Sequence, residues 1–197
     1  MKNILLAIAT VSVMTAACAG AQPHKASAAA QFKLFAMDNK YFSCLIPADW
    51  ELNRDQDKDA QSKIYEIQLL APDAAKAAIS IYVSYYAKDN EDFNDYKDFI
   101  KRNSTNSLGE TKSKRESYSP VKKISINGRK GFELTNEMLQ YLNPESKSDA
   151  SVAIKENIFV LPAKEGFFVL HYSAPKADYN RFYRTFTKVA RSFKGLP

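Results

Sequence analysis

Histidine and cysteine are scarce in this chain, two of each in 197 residues. Cys18 and Cys44 stand far apart with no further cysteine, which excludes a disulfide framework and any zinc-finger spacing. There is no H-E-x-x-H, G-x-S-x-G, Walker loop, G-x-G-x-x-G or C-x-x-C, so the signatures of zinc proteases, α/β-hydrolases, nucleotide binding and thiol redox chemistry are missing. Glycine is sparse at six, and the one pair of note, Gly128 and Gly131, falls in a hairpin pattern. Long hydrophobic runs are lacking too. The apolar stretch Ile4 to Met14 is about 11 residues, short of the roughly 20 that a spanning helix needs. No cofactor, no metal and no nucleic acid is implied. What the chain does have is 45% hydrophobic residues, with 12 Phe and 11 Tyr, enough for one good core at a length usual for one domain. Its net charge of +6 favours anionic partners only weakly.

Two residual possibilities for chemistry are weak. A nucleophile pair would have to be Cys44 with His171, both on predicted strands, where cysteine is usually a small core residue and a lone histidine a structural one. The acidic run from Asp89 to Asp95 lacks the glycine of a calcium loop and puts Phe93 where an oxygen ligand would be needed, so helix capping accounts for it better.

The first residues read as a targeting segment. Lys2 gives a positive start, Ile4 to Met14 an apolar centre, and Thr15-Ala16-Ala17-Cys18 a small-residue cleavage zone. T-A-A-C resembles the bacterial lipobox, in which the cysteine after the cut carries a thioether-linked diacylglycerol, with palmitate the usual fatty acid of such anchors. Thr15 stands where the lipobox has Leu, and Ala19-Gly20-Ala21 and Ala26-Ser27-Ala28 leave ordinary cleavage open. Ala19 to Gln31 is small and polar with no apolar group to dock, a flexible tether in which His24 is solvated spacer. Ala19 in place of Asp after the cysteine implies, by resemblance to enterobacterial sorting, the periplasmic face of the outer membrane; without the lipid the protein would be soluble in the periplasm. The expected division is a signal peptide at 1–17, a tether at 18–31 and a single domain at 32–197.

Within that domain, Tyr41 to Ile46, Ile64 to Leu70 and Ile79 to Tyr86 alternate as strands, the last predicting a sheet with one face packed and one partly wet. Asp89 to Arg102 has Phe93, Tyr96 and Ile100 at helical spacing, with acids first and bases last as the helix dipole favours. Asn103 to Ser119 reads as a mobile surface loop. Asn127-Gly128 joins Val121 to Ile126 with Arg129 to Asn136, the strongest short signal for a type I′ hairpin. After a polar loop at Asn143 to Ser151, a second hairpin pairs Ile154 to Leu161 with Gly166 to Tyr172. Past Pro175, suited to a first helical turn, the period becomes 3.6 and Tyr179, Phe182, Phe186, Val189 and Phe193 share one face, with Gly195 and Pro197 as the stop. The class is α+β: a mostly antiparallel sheet, a short mid-chain helix, and a long C-terminal amphipathic helix packed on it.

L-I-P-A-D-W-E (45–51), I-S-I-N-G-R-K-G-F-E (124–133) and F-V-L-P-A-K-E-G-F-F-V-L-H-Y-S-A-P (159–175), followed by the terminal helix, resemble the superfamily of the photosystem II PsbP subunit and its bacterial exported and lipidated relatives. The likeness covers about Tyr41 to Phe193. It implies an accessory or binding role with no catalysis. The reading is a non-catalytic, exported, lipid-anchored envelope protein that touches the membrane through its N-terminal lipid and binds a protein or anionic envelope component. Two alternatives are a ligand-binding module using an aromatic sheet face, with Tyr82, Tyr85, Tyr86 and Tyr172 as candidates, and an enzyme with an unrecognised site. The candidate partner-binding face is Arg181, Arg184, Lys188 and Arg191, on the side of the last helix away from its aromatic stripe, with Asp178 the only carboxylate from Lys176 onward.

Overall fold

The structure is a computed structural model and describes residues 31–72, 77–143, 145 and 148–196. The expected signal segment, Cys18 and the expected tether up to position 30 lie outside the described residues. In chain order the elements are β1 (Phe32–Ala36), β2 (Phe42–Pro47), β3 (Glu51–Asn53), α1 (Gln56–Ser62), β4 (Ile64–Leu70), β5 (Ser80–Ala87), α2 (Tyr96–Asn103), β6 (Glu116–Tyr118), β7 (Lys122–Ile126), β8 (Arg129–Tyr141), β9 (Ser151–Ala163), β10 (Gly166–Pro175), α3 (Tyr179–Ser192) and β11 (Lys194–Gly195). The main sheet runs β3-β4-β5-β10-β9-β8-β6, with β7 also paired to β8, and β1-β2-β11 form a small second sheet. Each registered pair is antiparallel. This is the α+β architecture that the alternation and hairpins lead one to expect.

The period-2 strands sort their side chains onto two faces. On one face Ile67, Leu69, Ile81, Val83, Phe168, Leu170 and Tyr172 meet Phe186 and Val189 from α3, Phe193 just past its end, and Phe42, Cys44 and Ile46 from the small sheet, forming the larger core. Phe186 is stacked between Phe159 and Tyr172, at ring separations of 5.0 and 5.5 Å. Truncating such a ring to alanine typically costs about 3–5 kcal/mol. The Tyr172 hydroxyl donates to the Tyr179 carbonyl at 2.8 Å, and Leu45 N–H donates to Ser192 Oγ at 2.8 Å, so both ends of α3 are fixed by hydrogen bonds as well as by burial. On the opposite face a smaller core gathers Leu134, Ile158, Val160, Phe167 and Val169 under Phe99 of α2.

Cys44 lies between Phe42 and Ile46 on the inward phase of β2 with no exposed surface. Burial pushes its thiol up to about 12. It should therefore resist thiol reagents in the native protein and react fast only when the chain is unfolded. Rapid native labelling would put it elsewhere.

Several local expectations change. The helix foreseen from Asp89 begins only at Tyr96, because the Asn90 side chain folds Asp89 to Asn94 into a turn. Its Oδ1 accepts from Asp92 N–H and Phe93 N–H, and its Nδ2 donates to the Ala87 and Phe93 carbonyls. Asp95 then caps α2, accepting from the N–H groups of Lys97 and Asp98 at 2.8 Å. The loop foreseen at Asn103 to Ser119 carries the edge strand β6, paired to β8. Pro175 ends β10 rather than opening α3, and its carbonyl accepts from Asp178 N–H. Gly195 is not a helix stop either: α3 ends at Ser192, and Gly195 pairs with Phe42 where an added Cβ would lie 2.7 Å from the Phe168 ring. The expected Asn-Gly turn is present, with Asn127 at φ 50 and Gly128 at φ 79. The Asn127 amide also donates to the carbonyls of Arg191 and Phe193, satisfying acceptors that the end of α3 leaves open.

Candidate functional site

α2 covers only one end of its face of the main sheet, and the rest of that face is polar and open. Across β4, β5, β10 and β9 it presents Glu66, Ser84, Tyr82, His171, Ser173 and Glu156, residues contributed by strands that are neighbours in space. α1 stands along one margin and walls off a groove of about 810 Å³ lined by Arg54, Lys58, Gln61, Glu66, Tyr82, Tyr86 and Asp92 among others. A shallower hollow of about 310 Å³, reaching His171 and Glu156, shares Glu66, Tyr82 and Tyr86 with it.

α1 has no apolar stripe; its sequence is Q-D-K-D-A-Q-S. It is held instead by Asp59, its one buried residue. Asp59 Oδ2 accepts from Arg54 Nε at 2.8 Å and Oδ1 from Glu66 N–H at 3.1 Å, so a single carboxylate ties the helix to the strand beside it. Arg54 extends the link to Asp38 at 2.7 Å. Asp55 caps the helix at Lys58 N–H, and Lys63 ends it in the left-handed conformation.

On the floor, Ser84 Oγ donates to Glu66 Oε2 at 2.6 Å. Burial raises the Glu66 carboxyl above its ordinary range, outweighing the opposing pull of that hydrogen bond and of His171. Glu156 behaves oppositely. Burial works to raise it, but its contacts with His171, Asn136 and Ser173 prevail and leave it below the usual range. His171 Nε2 lies 3.2 Å from Glu156 Oε1, an ion-pair distance, yet the nitrogen has no aligned hydrogen-bond partner. The imidazole is also stacked on Tyr82, with ring centroids 5.7 Å apart.

These two carboxyls predict opposite pH responses. A raised folded pKa means stability present below the unfolded value near 4.3 and lost as pH rises through the folded one; a lowered pKa means stability present above 4.3 and lost on acidification. Glu66→Gln should therefore raise the urea midpoint at pH 7 and do little below pH 4, whereas Glu156→Gln should lower it at pH 7 and do little below pH 4. Changes of the same sign at pH 7 would refute the assignment.

The sequence missed this groove as a unit but not its parts. Of the four tyrosines singled out, Tyr82 and Tyr86 line it, while Tyr85 and Tyr172 turn inward to the larger core. Cys44 is in that larger core and His171 is on the groove face, so they form no pair. Ser84 is turned to Glu66, to which its hydroxyl donates. Within the acidic run, Asp95 caps α2 and Asp89 pairs with Lys63. Among the described residues no three His, Cys, Asp or Glu side chains converge as metal ligands. The missed signal was a change of polarity along each strand: on β10 the face that buries Phe167 and Val169 goes on to His171 and Ser173, and on β9 the face of Ile158 and Val160 goes on to Glu156.

The basic row of α3 is on the far side of the molecule from the groove. Arg181, Arg184, Lys188 and Arg191 are all exposed, and among the described residues none of the four makes a salt bridge. Arg181 lies over the Phe182 ring at 4.7 Å, and Lys188 over the Phe32 ring at 3.9 Å. Cys18 lies outside the described residues. Among the described residues no helix is long and apolar enough to cross a membrane.

Against known proteins, no family model and no curated sequence matches the chain. Solved structures do. Cyanobacterial PsbP (CyanoP) from Synechocystis superposes with a TM-score of 0.51 at 12% identity, covering 87% of this chain and 96% of its own. A Pseudomonas aeruginosa protein of unknown function gives 0.47 at 11%, covering 84% and 98%, and LpqN, involved in cell envelope biogenesis of Mycobacterium tuberculosis, gives 0.47 at 12%, covering 85% and 91%. At such identities the likeness is one of fold, and the superposition above 0.5 is the one that carries it. The chain has the PsbP-like fold, as the resemblance of its three motifs implied.

Proposed function

We propose that this chain is a non-catalytic accessory protein of a bacterial envelope, exported, lipid-anchored at Cys18, and built as a tether followed by one binding domain whose groove captures a cationic segment of a partner protein. The observation that carries this reading is the groove itself. Its walls and floor bring Asp55, Glu66, Glu91, Asp92 and Glu156 together with Tyr82 and Tyr86 in a chain whose net charge is +6. Arg54 is paired to Asp59 and Asp38, which leaves Lys58 as the one lysine or arginine of the lining set against these five carboxyls. Carboxylates beside two aromatic rings suit a lysine or arginine side chain, which gains both charge pairing and a π-face. The polar groups on the floor hold one another rather than an attacking nucleophile, which supports capture over chemistry. Export and the anchor are supported by the T-A-A-C site behind a short apolar stretch.

Crosslinking followed by pull-down from intact cells tests the capture. Tyr82→Ala, at a half-buried position, should leave folding intact and remove the captured partner. The same partners recovered with the variant would defeat the groove reading. The anchor is tested by mass spectrometry of the protein from its native membrane, where an acylated Cys18 is expected as the first residue. An unmodified chain beginning at Gln22 or Ala29 in the soluble fraction would reject it.

A further inference from the structure

The row on α3 and the point where the tether joins the domain share one surface. β1 opens at Phe32, and the Lys188 ammonium sits 3.9 Å over that residue's ring, so the chain enters the fold beside the middle of the row. Arg184 and Arg191 lie one turn to either side, exposed and without ion-pair partners among the described residues. Thirteen residues, Ala19 to Gln31, separate Cys18 from Phe32. At about 3.5 Å per residue, thirteen residues reach at most roughly 45 Å. Lipid at Cys18 would therefore keep this surface within reach of the bilayer.

We propose that Arg184, Lys188 and Arg191, with Arg181, dock on the anionic lipid headgroups of the membrane that anchors the chain; this rests on the anchoring reading above. The row favours lipid over a protein surface for two reasons. Its nearest rings, Phe32 and Phe182, are half-buried and lie under Lys188 and Arg181, so they offer no free aromatic anchor of the kind that organises a protein hot spot. Its cations also stand exposed along a single helix face, which suits a planar array of phosphates that cations reach one by one. The docked orientation has a consequence for function. The main sheet lies between α3 and the groove, so a membrane under α3 leaves the groove facing away from the bilayer and open to a soluble partner.

The test uses the full acylated protein reconstituted into vesicles of phosphatidylcholine alone or mixed with phosphatidylglycerol. A water-soluble amine reagent is added, and modification of Lys188 is read by mass spectrometry relative to Lys101, an exposed lysine on α2 at the other face. Phosphatidylglycerol should slow Lys188 about tenfold relative to Lys101, and high salt should restore the rate. A double variant, Arg184→Glu with Arg191→Glu, should lose the protection while its urea midpoint barely changes. Equal Lys188 to Lys101 ratios in the two kinds of vesicle would overturn the proposal, as would protection that appears only when a protein extract is added. If the isolated protein proves unacylated at Cys18, the anchoring reading falls, and adding the same vesicles to the free protein still decides the row: cosedimentation with phosphatidylglycerol that the double variant loses supports it, and its absence overturns it.

Discussion

Gly166→Ala is expected to cost about 4 kcal/mol or more and to leave little folded protein at physiological temperature. The position opens β10, pairs with Ala87 of β5, and has φ of 138, a region that side chains with a Cβ rarely enter. An added Cβ would stand 2.0 Å from the Tyr86 carbonyl oxygen. That neighbour is main chain in the middle of a sheet, so relief requires moving β5 against β10 rather than turning a side chain. The same two strands carry Tyr82 and His171, and a shift in their register would open the groove floor along with the core. Urea unfolding measures the loss. A midpoint within the error of the parent would mean that the strands can part cheaply here.

Asp59→Ala is the second large effect, about 2–4 kcal/mol. It removes the acceptor for both Arg54 and the Glu66 N–H and leaves a guanidinium with 11% of its side chain exposed and one carboxylate, Asp38, for company. α1 buries nothing else that could hold it to the sheet. The helix should come loose before the core does, so proteolysis near Gln56 to Ser62 in native buffer should quicken by a larger factor than global unfolding predicts. Partner capture should weaken too, since α1 is a wall of the groove. Asp59→Asn, which keeps one acceptor, should lie between the two. Proteolysis that rises no more than global stability dictates would show that α1 is held by something other than this carboxylate.

These two residues also mark where sequence reasoning succeeds and where it stops. β4, β9, β10 and α3 were legible because burying a face against a neighbour imposes a period of two or 3.6 on apolar residues, and Phe186 or Leu170 announces its direction by its spacing. α1 has no such face. It exists because of an N-cap at Asp55 and one buried ion pair, and neither leaves a period. Phe93 misled in the opposite sense: it packs against Tyr86 and Phe99 as a helical residue would, but reaches them from an asparagine-built turn. The groove was half legible. A sheet with one packed and one partly wet face followed from the alternation of β5, whereas the meeting of Glu66, His171 and Glu156 depends on a strand order that sets β10 between β5 and β9. Nothing local in the chain encodes that order. The α3 row was legible in full as a list of residues, because helical spacing alone puts four cations together; its place beside Phe32 was not.

A photoactivatable side chain placed at Gln61, an exposed position on the groove wall, and as a control at Lys122 on the edge strand β7, tests the central claim most directly. Irradiated in living cells, the Gln61 protein should give a discrete covalent adduct that the Lys122 protein does not, and Tyr82→Ala should abolish it. Equal background at both positions, or an adduct at Gln61 that survives Tyr82→Ala unchanged, would contradict the groove as the place where this protein captures its partner.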